Sequence, residues 1–162
     1  MKTAFLFLSS AIACAFFFAA PLIVNANAGT GSVLPADRLS IEQSQYSGQW
    51  KGNDLTVEYN YSKDRGQMDI SGNVRFASSL VLGYTRLEDF RLGAIFLDKN
   101  GRVLQEIGLA TNRDSFDPIS FNRRINLPSN AVSIAFSYQG KAIEGADEGG
   151  SGLTSFWFYP IR

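Results

Sequence analysis

The chain has 162 residues, room for one domain behind an N-terminal segment, and its 15 basic and 15 acidic side chains cancel. That balance supplies no electrostatic footprint for nucleic acid, and none for acidic surfaces or anionic headgroups. Histidine is absent and the only cysteine, Cys14, lies in the N-terminal apolar run. The folded part therefore lacks the groups for Ser-His-Asp or Cys-His catalysis, for the common zinc sites and for disulfides. Acid–base work would fall to carboxylates, Lys or Tyr, and an oxygen-ligated cation stays open. The composition disfavours an enzyme and implies neither a cofactor nor a metal.

Met1-Lys2 opens a stretch that stays apolar through Ala20; Pro21 interrupts it, and Ala26-Asn27-Ala28 offers small residues where a signal peptidase reads. This layout predicts a helical signal peptide over 1–28, cut after Ala28, and a periplasmic or secreted product. The alternatives are an uncleaved anchor, since 4–24 approaches the ~20 apolar residues a bilayer needs, and a lipoprotein acylated at Cys14. Against the lipoprotein stand Ala11 where Leu is usual and apolar sequence where a tether is expected. Residues 29–48 are polar and rich in small side chains, with Pro35, and predict a flexible linker. Leu39 and Ile41 allow a short strand there. The domain is expected over 49–162.

From Trp50 onward the period is two. Residues 50–54 read as a turn that launches a strand with Leu55, Val57, Tyr59 and Tyr61 on one face. A polar turn leads to a second strand with Met68, Ile70, Val74 and Phe76 in phase; Gly72 on that face predicts a bulge or a close backbone approach. Residues 77–88 read as a short crossing strand or an anchored loop, and Gly83 with so short a run argues against a helix. The clearest hairpin follows. Phe90, Leu92, Ala94 and Phe96 share one face, Asp98-Lys99-Asn100-Gly101 turns the chain, and Val103, Ile107 and Leu109 share a face on the way back.

A polar loop leads to a strand with Ile119, Phe121, Ile125 and Leu127 in phase and Arg123 intruding. Val132, Ile134, Phe136 and Tyr138 then alternate with small residues, which predicts a strand covered on both faces. Residues 140–152, glycine-rich with Glu144, Asp147 and Glu148, predict a mobile surface loop. The last strand sets Phe156 and Phe158 opposite Trp157 and Tyr159 and ends at Pro160. About seven strands with frequent turn signals predict an all-β, two-sheet antiparallel sandwich of immunoglobulin-like shape, with a barrel as the other closure.

The run 70–74, Ile-Ser-Gly-Asn-Val, with 94–103, Ala-Ile-Phe-Leu-Asp-Lys-Asn-Gly-Arg-Val, resembles the FxLYD-type domains of exported bacterial proteins. Phe96-Leu97 stands where Leu-Tyr is usual, and the leading Phe-x-Leu is absent. The resemblance implies an extracytoplasmic immunoglobulin-like module without known catalysis and carries over no functional residue.

Asp98 and Asn100 match the start of a calcium loop, but the twelfth position, where a bidentate Glu belongs, is Leu109, so a plain hairpin turn is the simpler reading. Glu144, Asp147 and Glu148 read as a solvated acidic loop, and Asp114 with Asp117 as ordinary loop carboxylates rather than a hydrolytic pair. Aromatics give the most informative candidate. Trp50, Trp157 and Tyr159, with Tyr46 and Tyr84 nearby in type, form a stacking strip for sugar if exposed together and a packing rim if not. The expected function is an exported, non-catalytic binding module whose partner is an envelope protein or a glycan. A carbohydrate-binding module is the second reading and a small carboxylate-dependent glycoside hydrolase the third.

Overall fold

Alternation between Leu55 and Tyr61 is met by alternation between Met68 and Phe76, and the two segments pair without a slip as β3 (Leu55–Asp64) and β4 (Gln67–Phe76). Arg65 and Gly66, both at positive φ, close the two-residue turn between them, the geometry that matches strand twist. The computed structural model describes residues 31–145 and 152–162; the expected signal peptide, Cys14, Asp147 and Glu148 lie outside these. The register runs unbroken through Gly72, opposite Tyr59 on one side and Phe121 on the other. A β-carbon at Gly72 would overlap the Glu58 carbonyl oxygen and press on the Phe121 ring. Of the two readings of this glycine, close approach is the correct one.

The remaining elements are β1 (Leu39–Ser40), β2 (Gln45–Lys51), a short helix α1 (Ser78–Gly83), β5 (Arg86–Leu97), β6 (Val103–Asn112), β7 (Ile119–Asn126), β8 (Ser133–Ile143) and β9 (Leu153–Phe158). They make two antiparallel sheets: β2-β3-β4-β7, and β6-β5-β8 with β1 and β9 sharing the far edge of β8. The chain changes sheet between β4 and β5 and returns at β7, so β7 pairs with β4 and β8 with β5. These two crossed pairs knit the sheets in the Greek-key manner of immunoglobulin-like sandwiches. The strands number nine among the described residues, not seven.

Three expectations need correction. The tether predicted over 29–48 belongs to the fold from Gly31 onward. Val33 and Ile41 are each only 1% exposed, and β2 pairs along its whole length with β3. Its inward positions are Tyr46, Gly48 and Trp50, and the glycine among them hides the alternation. The segment read as a loop or strand carries α1, in which the Val81 and Tyr84 amides bond to the Ala77 and Leu80 carbonyls. A single buried side chain, Leu80, anchors its six residues, too few to display a helical period.

Finally, Val103 does not share a face with Ile107 and Leu109. Two irregularities in the β5–β6 ladder shift the phase, so Val103 packs outward with Ile95 and Leu97 while Ile107 and Leu109 join the main core.

Between the sheets lies a core rich in rings, including Tyr59, Phe76, Phe90, Phe136, Tyr138 and Phe156. A small second core sits on the outside of the five-stranded sheet. There Val33, from the first described strand-like residues, covers Ile95, Leu97 and Ala135 with Ile161 beside it. Arg38 fixes this cover by donating to the Val33 and Asn100 carbonyls. This explains why β8 is buried on both faces, as its sequence predicts.

Candidate functional site

The uncovered part of that same outer face is where side chains converge. Strand pairing sets Trp157, Gln139, Arg91 and Thr111 in one row across β9, β8, β5 and β6. The neighbouring row holds Ser137, Gly93 and Gly108, with Tyr159 just beyond the end of β9. A row of small residues between taller ones makes a depression. Its volume is about 330 Å³, with Gly93 and Gly108 in its floor and Arg91, Glu106, Gln139 and Tyr159 around it. A smaller hollow of about 190 Å³ adjoins Trp157, and Gln139 lines both.

Glu106 organises the larger depression. One carboxylate oxygen accepts from the Ser137 hydroxyl at 3.1 Å and the other from the Tyr159 hydroxyl at 3.0 Å. The second bond fixes the tyrosine ring at the rim. Partial burial, then the bond and charge of Glu106, raise the Tyr159 phenol above its ordinary value, so it stays a neutral donor through the physiological range. Arg91 stands 3.4 Å from Asp89, which also meets Arg113 at 3.7 Å. The charges around the depression are thus largely matched.

The sequence-predicted residues part company here. Trp157 is 68% exposed and Tyr159 48% exposed, on one face, as alternation with Phe156 and Phe158 requires. Trp50 is elsewhere: from β2 it packs inward, its ring 5.4 Å from Phe136 and 5.5 Å from Phe158. It is half-buried in the core and takes no part in an aromatic strip, because Trp50 and Lys51, read as part of the turn that does follow at 52–54, end a strand. Tyr46 packs on Tyr59 and Tyr61, and Tyr84 is partly buried against the core.

Asp98 is a turn residue. Its carboxylate accepts the Arg102 and Asn100 amides, which hold its pKa below the ordinary carboxylate value, while Gly101 takes φ +80. Asp114 and Asp117 sit exposed in the loop between β6 and β7 and do not line the depression. Glu144 accepts from Thr154. Among the described residues no three potential ligands from His, Cys, Asp and Glu gather as a metal site would require.

Glu106, Arg91, Ser137, Gln139 and the two floor glycines escaped the sequence reading. The one available signal was a glycine in mid-strand at both 93 and 108, away from any turn. No protein-family model matches the chain, and no curated protein sequence matches it either. No helix among the described residues is long and apolar enough to cross a membrane.

Proposed function

We propose that the protein is an exported, non-catalytic binding module and that the outer face of the five-stranded sheet is its binding face. Export rests on the charged start, apolar run and small-residue cut site of 1–28. Membership among FxLYD-type domains is part of the same proposal and rests on the sequence pattern alone. The observation that carries the binding face is Trp157, exposed by two thirds of its surface beside a concave hollow that mixes polar and apolar surface. An indole left out of a core that buries many other rings forgoes its burial energy, which is typical of contact surfaces. In support of a non-catalytic role, Glu106 is the one carboxylate among the described residues lining the larger depression, and both its oxygens are engaged. Glycoside hydrolysis ordinarily takes two carboxylates.

The test is affinity capture from an envelope extract with the wild-type protein and with Trp157→Ala. The expected result is a partner, protein or glycan, that the variant retains poorly. Equal retention of every captured component would remove Trp157 from the binding surface. A carbohydrate ligand is the second reading, and one specific feature favours it: the polar side chains of Gln139, Arg91, Glu106 and Ser137 stand beside the two exposed aromatics.

A further inference from the structure

We infer that the depression over Gly93 and Gly108 is a subsite for one neutral pyranose ring of a glycan chain, with Trp157 the platform for the adjoining ring. The inference rests on the binding face proposed above and names its ligand. Four features of the site lead to it.

The first is shape. Two glycines pair on neighbouring strands beside a ladder irregularity, and the space there, about 330 Å³, is of the size of small-molecule sites. The open part lies over Gly108, where an added β-carbon would meet nothing within 4 Å, whereas over Gly93 it would meet the Ser137 hydroxyl oxygen at 2.7 Å. The second is the mixture of surfaces. A pyranose ring has an apolar face and an equator of hydroxyls; Tyr159 at the rim answers the first, while Arg91, Gln139 and Glu106 supply donors and an acceptor for the second.

The third is charge. Arg91 and Arg113 balance Asp89 and Glu106 in formal charge, so the depression and its surroundings carry no net charge toward a ligand. A neutral sugar suits this better than a polyuronate or a protonated amino sugar. The fourth is spacing. Trp157 and Tyr159 point the same way from positions two apart, roughly 6.6 Å along an extended chain. Successive rings of one polysaccharide chain can therefore meet both.

The experiment is calorimetric titration of the described domain in its full mature chain with neutral hexasaccharides (β-1,4-glucan, β-1,4-xylan, α-1,4-glucan and chitin fragments) and with a polygalacturonate hexamer. Wild type is compared with Gly108→Phe, which fills the depression, with the milder Gly108→Ser, and with Trp157→Ala. The domain's thermal unfolding is recorded for each.

The expected result is binding of at least one neutral hexasaccharide, reduced about tenfold or more by Gly108→Phe and about tenfold by Trp157→Ala, with unfolding unchanged. Should Gly108→Phe misfold, Gly108→Ser at native stability carries the test, with a smaller loss expected. A neutral glycan bound equally well by both Gly108 variants, yet weakly by Trp157→Ala, would overturn the subsite and leave the binding face standing. Preference for the polygalacturonate would overturn the neutral-ring assignment. If no glycan of the panel binds, the sugar inference falls, and envelope capture with Trp157→Ala decides separately whether the face itself survives.

Discussion

Gly72 shows how closely the four-stranded sheet is fitted around single atoms. The Phe121 ring lies over it, and the Glu58 carbonyl occupies the place of a side chain. Gly72→Ala should therefore cost about 1–3 kcal/mol, the usual penalty of overpacking, despite alanine's lower flexibility; urea unfolding measures it. A reverse case is Tyr61, whose hydroxyl oxygen is buried without a hydrogen-bond partner among the described residues. Tyr61→Phe removes that unsatisfied group and keeps the ring, so stability should hold or rise, by up to about 3 kcal/mol; a lower urea midpoint would contradict this.

The buried phenols also set an alkaline limit. Burial first, then the neighbouring Tyr46 and Tyr61, push the Tyr59 phenol up to about 12, and burial with the Asp54 hydrogen bond raises that of Tyr138 as well. In the unfolded chain both ionise near pH ~10, so above that pH the unfolded state binds fewer protons than the native state. Their contribution is complete below pH ~10 and is lost as pH rises through the folded values. Urea midpoints should fall steeply in that alkaline range, in step with the phenolate absorbance. A flat profile there would show that these phenols ionise in the folded protein as they do when unfolded.

At the scale of the element, β9 has opposite characters on its two faces. Phe156 and Phe158 reach the core, while Trp157 stands in solvent. The two tryptophans should thus respond oppositely to truncation. Trp50→Ala removes a ring packed against Phe136, Tyr138 and Phe158 and is expected to cost about 3–5 kcal/mol. Trp157→Ala should leave stability within about 0.5 kcal/mol. Paired thermal melts check both, and comparable losses would contradict the assignment of faces.

This contrast also marks what the sequence could and could not disclose. The period of two showed β3, β5, β8 and β9 through unbroken apolar phases, and β4 and β7 through enough apolar residues to bridge Gly72 and Arg123. It missed β2, whose inward phase holds Gly48, and it placed Val103 on the wrong face because bulges leave no mark in the pattern. Trp157 and Tyr159 were legible as an outward pair. The walls and floor around them were not, since outward Arg, Gln, Ser and Gly look like any solvated surface until strand pairing from β5, β6 and β8 brings them into one place.

For the molecule as a whole, the boundary of the domain lies well before residue 49. Val33 and Ile41 are wholly buried, and each such side chain contributes roughly 1.5–3 kcal/mol. Together that is a large part of the 5–15 kcal/mol by which domains are ordinarily stable, before the loss of β2 is counted. A chain beginning at residue 49 should fail to show a cooperative thermal transition, whereas one beginning at residue 29 should show it. A cooperative melt from the shorter chain would mean that β2 and the outer cover are dispensable.

Ser32 and Arg162 exchange backbone hydrogen bonds, each donating to the other's carbonyl, with Val33 bridged to Ile161. The small outer core over Ile95 and Leu97 is consequently sealed by partners some 130 positions apart in the chain. Residues 32 and 33 also meet Gly101, Arg102 and Ile95, but the outer core closes only when residues 161 and 162 are in place as well. Sealing this face thus depends on contacts of very high sequence separation, the kind that form slowly because a long loop must close first.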